Sequence, residues 1–277
     1  MPELITGGEM AAALRVLPVP RLRLARGGVH LMERHARVYR HAWLMFVSGL
    51  LEPLFYLLSL GVGLGQLVGH VTGPGGRLIS YTAFVAPALL ASSSMNGAIF
   101  DSTFNVFFRL KYAKLYDAAL ATPLRPIDVA LGEIGWALLR GGLYALAFMV
   151  VMLAMGLVHS VWAVAAVPVS LLIGFAFAAA GMAGTTYMRS WQHFEFIELA
   201  ILPMFLFSGS FYPLSVYPPA LRVVVEATPL YQGVVLLRDL TLGVVGPGLL
   251  LHALYLAVLG LAGLALASRR IGRLLLR

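Results

Sequence analysis

His193, Glu195 and Glu198 stand close enough on one short stretch to hold a metal ion. An imidazole with two carboxylates suits a divalent first-row ion. The same residues also suit the opening turn of a helix, where acids are favoured by the helix dipole. The second reading carries more weight, and no metal is expected. The other histidines are scattered, without the His-Glu-x-x-His spacing of a zinc hydrolase. Gly61-Val-Gly63-Leu-Gly65 has the outline of a dinucleotide loop but lacks the strand-turn-helix context that such a loop needs. These glycines, with Gly141, Gly142, Gly174, Gly181 and Gly184, better serve close packing of membrane helices. No phosphate-binding GxxxxGK[ST] loop occurs, and there is no cysteine for thiol chemistry or metal ligation. No catalytic residue is assigned, no cofactor is expected on this chain, and any ATP hydrolysis has to come from another one.

Two further charges interrupt apolar runs. Glu52 and Arg140 each lie about ten residues into a hydrophobic stretch, at a common depth of about 14 Å if both stretches start from the same side. Ionisable groups inside a bilayer are costly and point to a role. A Glu52–Arg140 ion pair docking the first span on the third is one reading; separate snorkelling or hydration of each is the other. Pro53 kinks or starts the helix beside it.

The elements that carry these residues are membrane helices. The chain has 277 residues, 60% hydrophobic and only 12% charged, where a soluble domain has roughly 25%. Mean hydropathy is +0.87. Six spans are expected near 43–68, 78–100, 131–156, 161–187, 194–212 and 244–268. The first apolar run starts too late for a cleavable signal peptide and is read as a retained helix. The net charge of +8 comes from 18 Arg and two Lys against 12 acids. Sixteen of those basic residues fall before the first span, in the loops after spans two and four, and in the tail. Three (Arg77, Arg222 and Arg238) fall on the opposite side. The positive-inside rule then puts both termini in the cytoplasm. The clustering of the charges outside the apolar runs argues for a membrane protein and against nucleic-acid binding. The Arg, Ala and Gly bias suggests a GC-rich bacterial genome, hence a multi-pass protein of a bacterial plasma membrane.

Residues 1–27 read as a loose basic segment, and 28–42 as a helix lying at the interface with its Arg side chains near lipid headgroups. Between spans two and three, Phe104, Phe107, Phe108, Tyr112, Leu115 and Ala119 share one helical face. Thr122-Pro123 and Arg125-Pro126 end that helix, and Asp128 caps the next. On spacing alone this insert is equally a docking surface for a soluble partner and a loop hugging the membrane. After span five, Pro213, Pro218, Pro219 and Pro229 break an apolar stretch into two short helices, about 218–227 and 230–240. They either dip back into the membrane or form an outer loop. The fold class is an all-α integral membrane protein.

Several strings resemble the six-span permeases of the ABC-2 exporter family. They are Glu52-Pro53-Leu-Phe-Tyr with LSLGVGLG after it, Tyr81-Thr-Ala-Phe, LYDAALATPLRPIDVALGE, and FLFSGSFYPLSVYPP followed by ATPLYQGVVLLRDL. The resemblance runs from about Arg34 to the tail and is nearest to the permeases of nodulation lipo-oligosaccharide and daunorubicin-resistance exporters. It implies a permease that pairs with a second copy or a close relative and with two cytoplasmic ATPase subunits, which hold the ATP and Mg. It makes 105–126 a coupling segment, with Lys114, Leu115, Tyr116, Asp117, Thr122 and Pro123 as ATPase contacts. It implies a lateral cleft and outer gate carrying Phe205, Phe207, Phe211, Tyr212 and Tyr217. The cargo it implies is amphipathic: a lipo-oligosaccharide, a glycolipid or a hydrophobic drug. Competing readings are a secondary transporter, which would need midplane coupling groups, and a lipid-modifying enzyme built on Glu195, Glu198 and His193.

Overall fold

The computed structural model describes residues 31–35 and 51–275. Residues 31–35 are helical, within the interfacial helix expected over 28–42. The rest of that helix, the 1–27 segment and positions 43–50 of the first span lie outside the described residues.

The chain then runs through α1 (Leu51–Val68), a hairpin of β1 (His70–Thr72) and β2 (Leu78–Ser80), and α2 (Tyr81–Lys111). It continues through α3 (Leu115–Leu120), α4 (Pro126–Ala154) and α5 (Val161–Thr185). It ends with α6 (Phe194–Leu206), α7 (Pro219–Ala227), α8 (Pro229–Leu242) and α9 (Gly248–Leu275). Among the described residues, α1, α2, α4, α5 and α9 are each long and apolar enough to cross a bilayer. The pair α7–α8 meets that measure jointly, bent by 84° at Thr228. The two helices expected at 218–227 and 230–240 are therefore present, with Pro219 and Pro229 each opening one, as a ring with fixed φ and no N–H allows.

Three expected boundaries are corrected. Residues 78–80 are strand, paired with 70–72 in the register His70↔Ser80, Val71↔Ile79 and Thr72↔Leu78. Gly75 and Gly76, both at positive φ, close the turn, and Ser80 caps α2 by accepting from the Ala83 N–H at 3.3 Å. Span two runs eleven residues beyond the expected end at Phe100, because a π-helical turn at Asp101–Asn105 carries the helix on and turns Asp101, Ser102 and Thr103 into the interior. The fifth expected span, 194–212, holds a helix of only 13 residues, α6. That is about 20 Å long, short of the ~30 Å hydrocarbon core. The chain leaves helical geometry at Phe207 and turns at Gly209, with φ 67. The basic tail is helical as well: Arg269, Arg270 and Arg273 belong to the last turns of α9.

The bundle is organised around α5, with α9, α2 and α4 packed against it. Small residues set these distances. A Cβ on Gly263 of α9 would lie 2.7 Å from backbone atoms of Ala179 and Ala180, and one on Gly260 would strike the Phe175 ring. Gly61 lets α1 meet Thr82 of α2, and Gly181 lets α5 meet Ser102. Gly63, Gly141 and Gly184 face open space, so only part of the glycine set serves packing.

The α5–α9 crossing gives a direct test. Gly263→Ala should lower the thermal stability of the purified protein by about 1–3 kcal/mol, the usual range for overpacking. Gly184→Ala should leave it unchanged or slightly raised. Thermal unfolding in detergent, followed by size-exclusion fluorescence, distinguishes the two.

Candidate functional site

Two regions gather the polar chemistry: the end of the bundle where α2 passes to α4, and a cleft beside α1 and α6.

At the bundle end, α2 stops at Lys111, residues 112–114 turn, and α3 restarts at Leu115. Lys114, at φ 45, is the one non-glycine with positive φ among the described residues. That conformation costs a side-chain-bearing residue about 1–2 kcal/mol and fixes a sharp corner. The single helical face expected through Phe104, Phe107, Phe108, Tyr112, Leu115 and Ala119 is thus interrupted. Phe104 and Phe107 turn inward to Phe194 and Trp191, while Phe108 and Tyr112 stay exposed. After α3, the Thr122 hydroxyl donates to Ala119 O at 2.5 Å. Asp128 does cap, but from inside the helix: Pro126 opens α4, and the Asp128 carboxylate accepts from the Arg125 N–H at 3.0 Å and from its guanidinium at 3.2 Å. Of the six residues assigned to partner contact, Lys114, Asp117, Thr122 and Pro123 are exposed and Leu115 is half-buried. Tyr116 is corrected. It is fully buried, turned toward Glu133 and Arg109 because α3 packs its inner face on the bundle. Burial, together with the Glu133 carboxylate, pushes its phenol well above the usual value.

Beneath α3 lies a buried ionic knot. Glu133 of α4 pairs with Arg109 of α2, and its second oxygen lies 3.3 Å from His35 Nε2. The His35 and Glu133 side chains are 4% and 3% exposed, so the helix at 31–35 is tied to the same point as α2 and α4. Deeper in, Arg140 of α4 contacts Asp101 of α2 at 2.7 Å, and Asn105 Nδ2 donates to the other Asp101 oxygen at 2.8 Å. This corrects the Glu52–Arg140 pair: Arg140 turns to Asp101, which the π-turn has rotated inward, while Glu52 makes no ion pair among the described residues. From Asp101 to Arg109 is eight residues, and from Glu133 to Arg140 is seven. The two helices run antiparallel, and a π-turn inserts one residue. That insertion brings both pairs onto one register.

The cleft has a volume of about 1190 Å³. Glu52 and Tyr56 of α1 form one wall and Glu195, Glu198, Leu202 and Phe205 of α6 another. Its floor is a stripe of α2 (Leu89, Ser92, Ser93, Asn96, Gly97, Phe100) with Arg140 and Tyr144 of α4. The stripe recurs at the three- and four-residue steps of one helical face. Glu52 and Arg140, singled out as intramembrane charges, and Phe205, singled out by the family resemblance, thus line one cavity. His193 takes no part in a metal group: its ring contacts Ser190, and no set of three potential ligands assembles among the described residues. At the far end of α6 the aromatic residues do assemble. Phe205 meets Phe211 edge-on at 5.2 Å, Tyr212 meets Tyr217 at 5.5 Å, and Phe207 meets Tyr217 at 6.3 Å. Arg222 holds this loop by donating to Tyr217 O at 2.7 Å and Ser215 O at 2.6 Å.

Arg238, within the helix expected at 230–240, is buried in α8. It lies 3.7 Å over the Phe84 ring and donates to Phe84 O at 3.1 Å and Gly209 O at 2.8 Å. It therefore ties α8 to α2 and to the turn after α6. Asp101, Glu133 and His35 were also missed. Asp101 was placed just beyond an expected helix end, although a lone acid inside AIFDSTFNVFF is itself a signal.

A family model for ABC-2 type transporters matches residues 29–242. The chain belongs to the ABC-2 type transporter family. Its relatives include nodulation protein J of Rhizobium leguminosarum bv. viciae, 32% identical over 259 residues, which cover 90% of this chain and 98% of that protein. Nodulation protein J of R. leguminosarum bv. trifolii is 36% identical over 195 residues, covering 70% of this chain and 72% of that protein. The Rhizobium meliloti (strain 1021) protein of the same name is 34% identical over 198 residues, covering 71% and 74%. This ABC-2 chain is a multi-pass membrane permease, and the readings as a secondary transporter or a lipid-modifying enzyme are not favoured.

The knot predicts strong non-additivity. Arg109→Met leaves the Glu133 carboxylate buried without its guanidinium and should cost about 3–5 kcal/mol. Adding Glu133→Leu should restore part of that loss. A double-mutant cycle on thermal stability measures the coupling, and simple additivity would show that the pair is not one unit.

Proposed function

We propose that this permease is the membrane half of an ATP-driven exporter in a bacterial inner membrane, with ATP and Mg held by separate cytoplasmic ATPase subunits that dock on α3. The carrying observation is the corner at 112–126: exposed Asp117 on α3, and exposed Lys114, Thr122 and Pro123 in the turns on either side of it, surround a helix whose inner face is locked by Tyr116 above the Glu133 knot. A soluble partner pushing on such a corner moves α2 and α4 together. The basic residues support an inner-side location for it. Lys111, Lys114 and Arg125 lie here, and Gly272, beside Arg273, packs against Pro126 at the same end. The positive-inside rule assigns that end, and with it both termini, to the cytoplasm.

The resemblance also supports pairing with a second permease copy through α1 and α6. The outward faces of both are apolar, and α6 packs only sparsely on its own chain: Phe196 and Leu199 are 69% and 70% exposed. Cargo enters the cleft from the inner leaflet or cytoplasm and leaves past the aromatic cluster of Phe205, Phe207, Phe211, Tyr212 and Tyr217. An amphipath such as a lipo-oligosaccharide, a glycolipid or a hydrophobic drug suits a cavity with polar and apolar walls.

Asp117→Lys reverses an exposed charge on α3 without touching the core. Membrane yield should hold, while co-purification of the ATPase, or its stimulated hydrolysis, falls about tenfold, as loss of an interfacial charge contact allows. Unchanged export and unchanged ATPase binding would remove Asp117 from the interface.

A further inference from the structure

We propose that Arg238 is the positioning residue that holds the outer end of the path shut, by clamping the turn that carries the aromatic cluster to α2; this rests on the permease reading above. Residues 207–212, Phe-Ser-Gly-Ser-Phe-Tyr, join the end of α6 to the loop before α7. The rings of Phe207, Phe211 and Tyr212 belong to the cluster, and only small residues stand between them. Ser208 and Ser210 are fully buried, but their hydroxyls bond to each other at 2.7 Å and, from Ser208, to Phe205 O at 3.2 Å. Gly209, at φ 67, has the Tyr231 ring of α8 against its open side. Among the described residues, the Arg238 bond to Gly209 O at 2.8 Å is the one hydrogen bond that joins 207–212 to a helix other than α6.

The chemistry of this link suits a latch. Arg238 is 6% exposed and makes no salt bridge among the described residues, not even with Asp239 beside it in the chain. A buried guanidinium without a carboxylate is costly, and an apolar side chain would hold two helices together at lower cost. What the guanidinium alone supplies is a planar fork that donates in two directions. Its Nε reaches Phe84 O of α2 at 3.1 Å, its Nη2 reaches Gly209 O, and its plane sits 3.7 Å from the centre of the Phe84 ring. Gly209 O lies in a turn and not in a helix ladder, so water can satisfy it once the fork lets go. The contact is therefore strong when made and reversible when broken. It also ends on the helix that floors the cleft, so a tilt of α2 that parts Phe84 O from Gly209 O releases the turn and the rings it carries.

The test uses the full-length chain in intact spheroplasts, with Ser93→Cys, half-buried on the cleft floor, as the reporter in a protein that has no other cysteine. A membrane-impermeant maleimide added outside should label it slowly while Arg238 is present. Arg238→Met should raise the labelling rate about tenfold, as loss of a charge-assisted hydrogen bond allows. Gly263→Ala, which strains the α5–α9 crossing, should leave the rate at the wild-type value, and that split separates a latch from a general loss of stability. Arg238→Lys keeps a buried cation but not the fork, so it should still label about threefold faster; it decides the matter if the Met variant does not reach the membrane. Rapid labelling with Arg238 intact, a wild-type rate in either Arg238 variant, or equal acceleration by Gly263→Ala would each overturn the inference. ATPase co-purification from the same membranes reports on the permease reading separately. An intact complex with unchanged labelling refutes the latch alone, and absence of any ATPase complex in the wild type refutes the reading beneath it.

Discussion

In a bilayer, charged side chains and free backbone groups must find partners inside the protein. This chain meets that constraint by pinning α2 to α4 at two levels, Asp101–Arg140 and Arg109–Glu133, on one antiparallel register. The rest of the architecture follows from that pairing. The register fixes how far α2 runs past the core, and so where the corner at 112–126 stands. His35 brings the segment before α1 to the same knot. Tyr116 seats α3 above it. Contacts from α3 thus lead directly to α2, α4 and the helix at 31–35.

The cleft depends on the same register. The π-turn that brings Asp101 to Arg140 also changes the face of α2 by one residue, so that Phe100 and Asn105 both line the cavity while Asp101, Ser102 and Thr103 point away from it. At the other end, Arg238 ties the Phe84 carbonyl of α2 to the turn at Gly209, so the aromatic cluster beyond α6 is anchored to the helix that floors the cleft. Movement of α2 is thereby linked at one end to α3 and at the other to the aromatic residues.

Much of this was legible in the sequence, for identifiable reasons. Hydropathy marked the spans α4, α5 and α9, because their apolar runs are long, with Arg140 the one charge deep within α4. The prolines at 219 and 229 marked both short helices, because proline fixes the first turn of each. Charge position located Arg140 but not its partner. Depth along an ideal helix pointed to Glu52, and only a π-turn, which adds one residue without a signature in composition, turns Asp101 inward. The length of α2 was hidden by the same cause, since Asp101 reads as the end of a span until its partner is known. The hairpin at 70–80 was lost because Leu78-Ile79-Ser80 is as apolar as the helix it precedes. The helix that carries Arg238 was legible, but its burial was not, because only the packing against Phe84 turns it to the interior. Tyr116 was assigned to the outer surface because a short amphipathic helix does not declare from sequence which of its polar residues faces inward.

The account depends most on which side of the membrane the corner at 112–126 occupies. The chain has no cysteine, so single substitutions report without background. Thr122→Cys lies on the corner and Arg77→Cys on the hairpin at the other end of the bundle. In intact spheroplasts a membrane-impermeant maleimide should label Arg77→Cys and leave Thr122→Cys untouched until the cells are opened. Labelling of Thr122→Cys from outside would put the docking surface beyond the reach of any cytoplasmic ATPase and contradict the account.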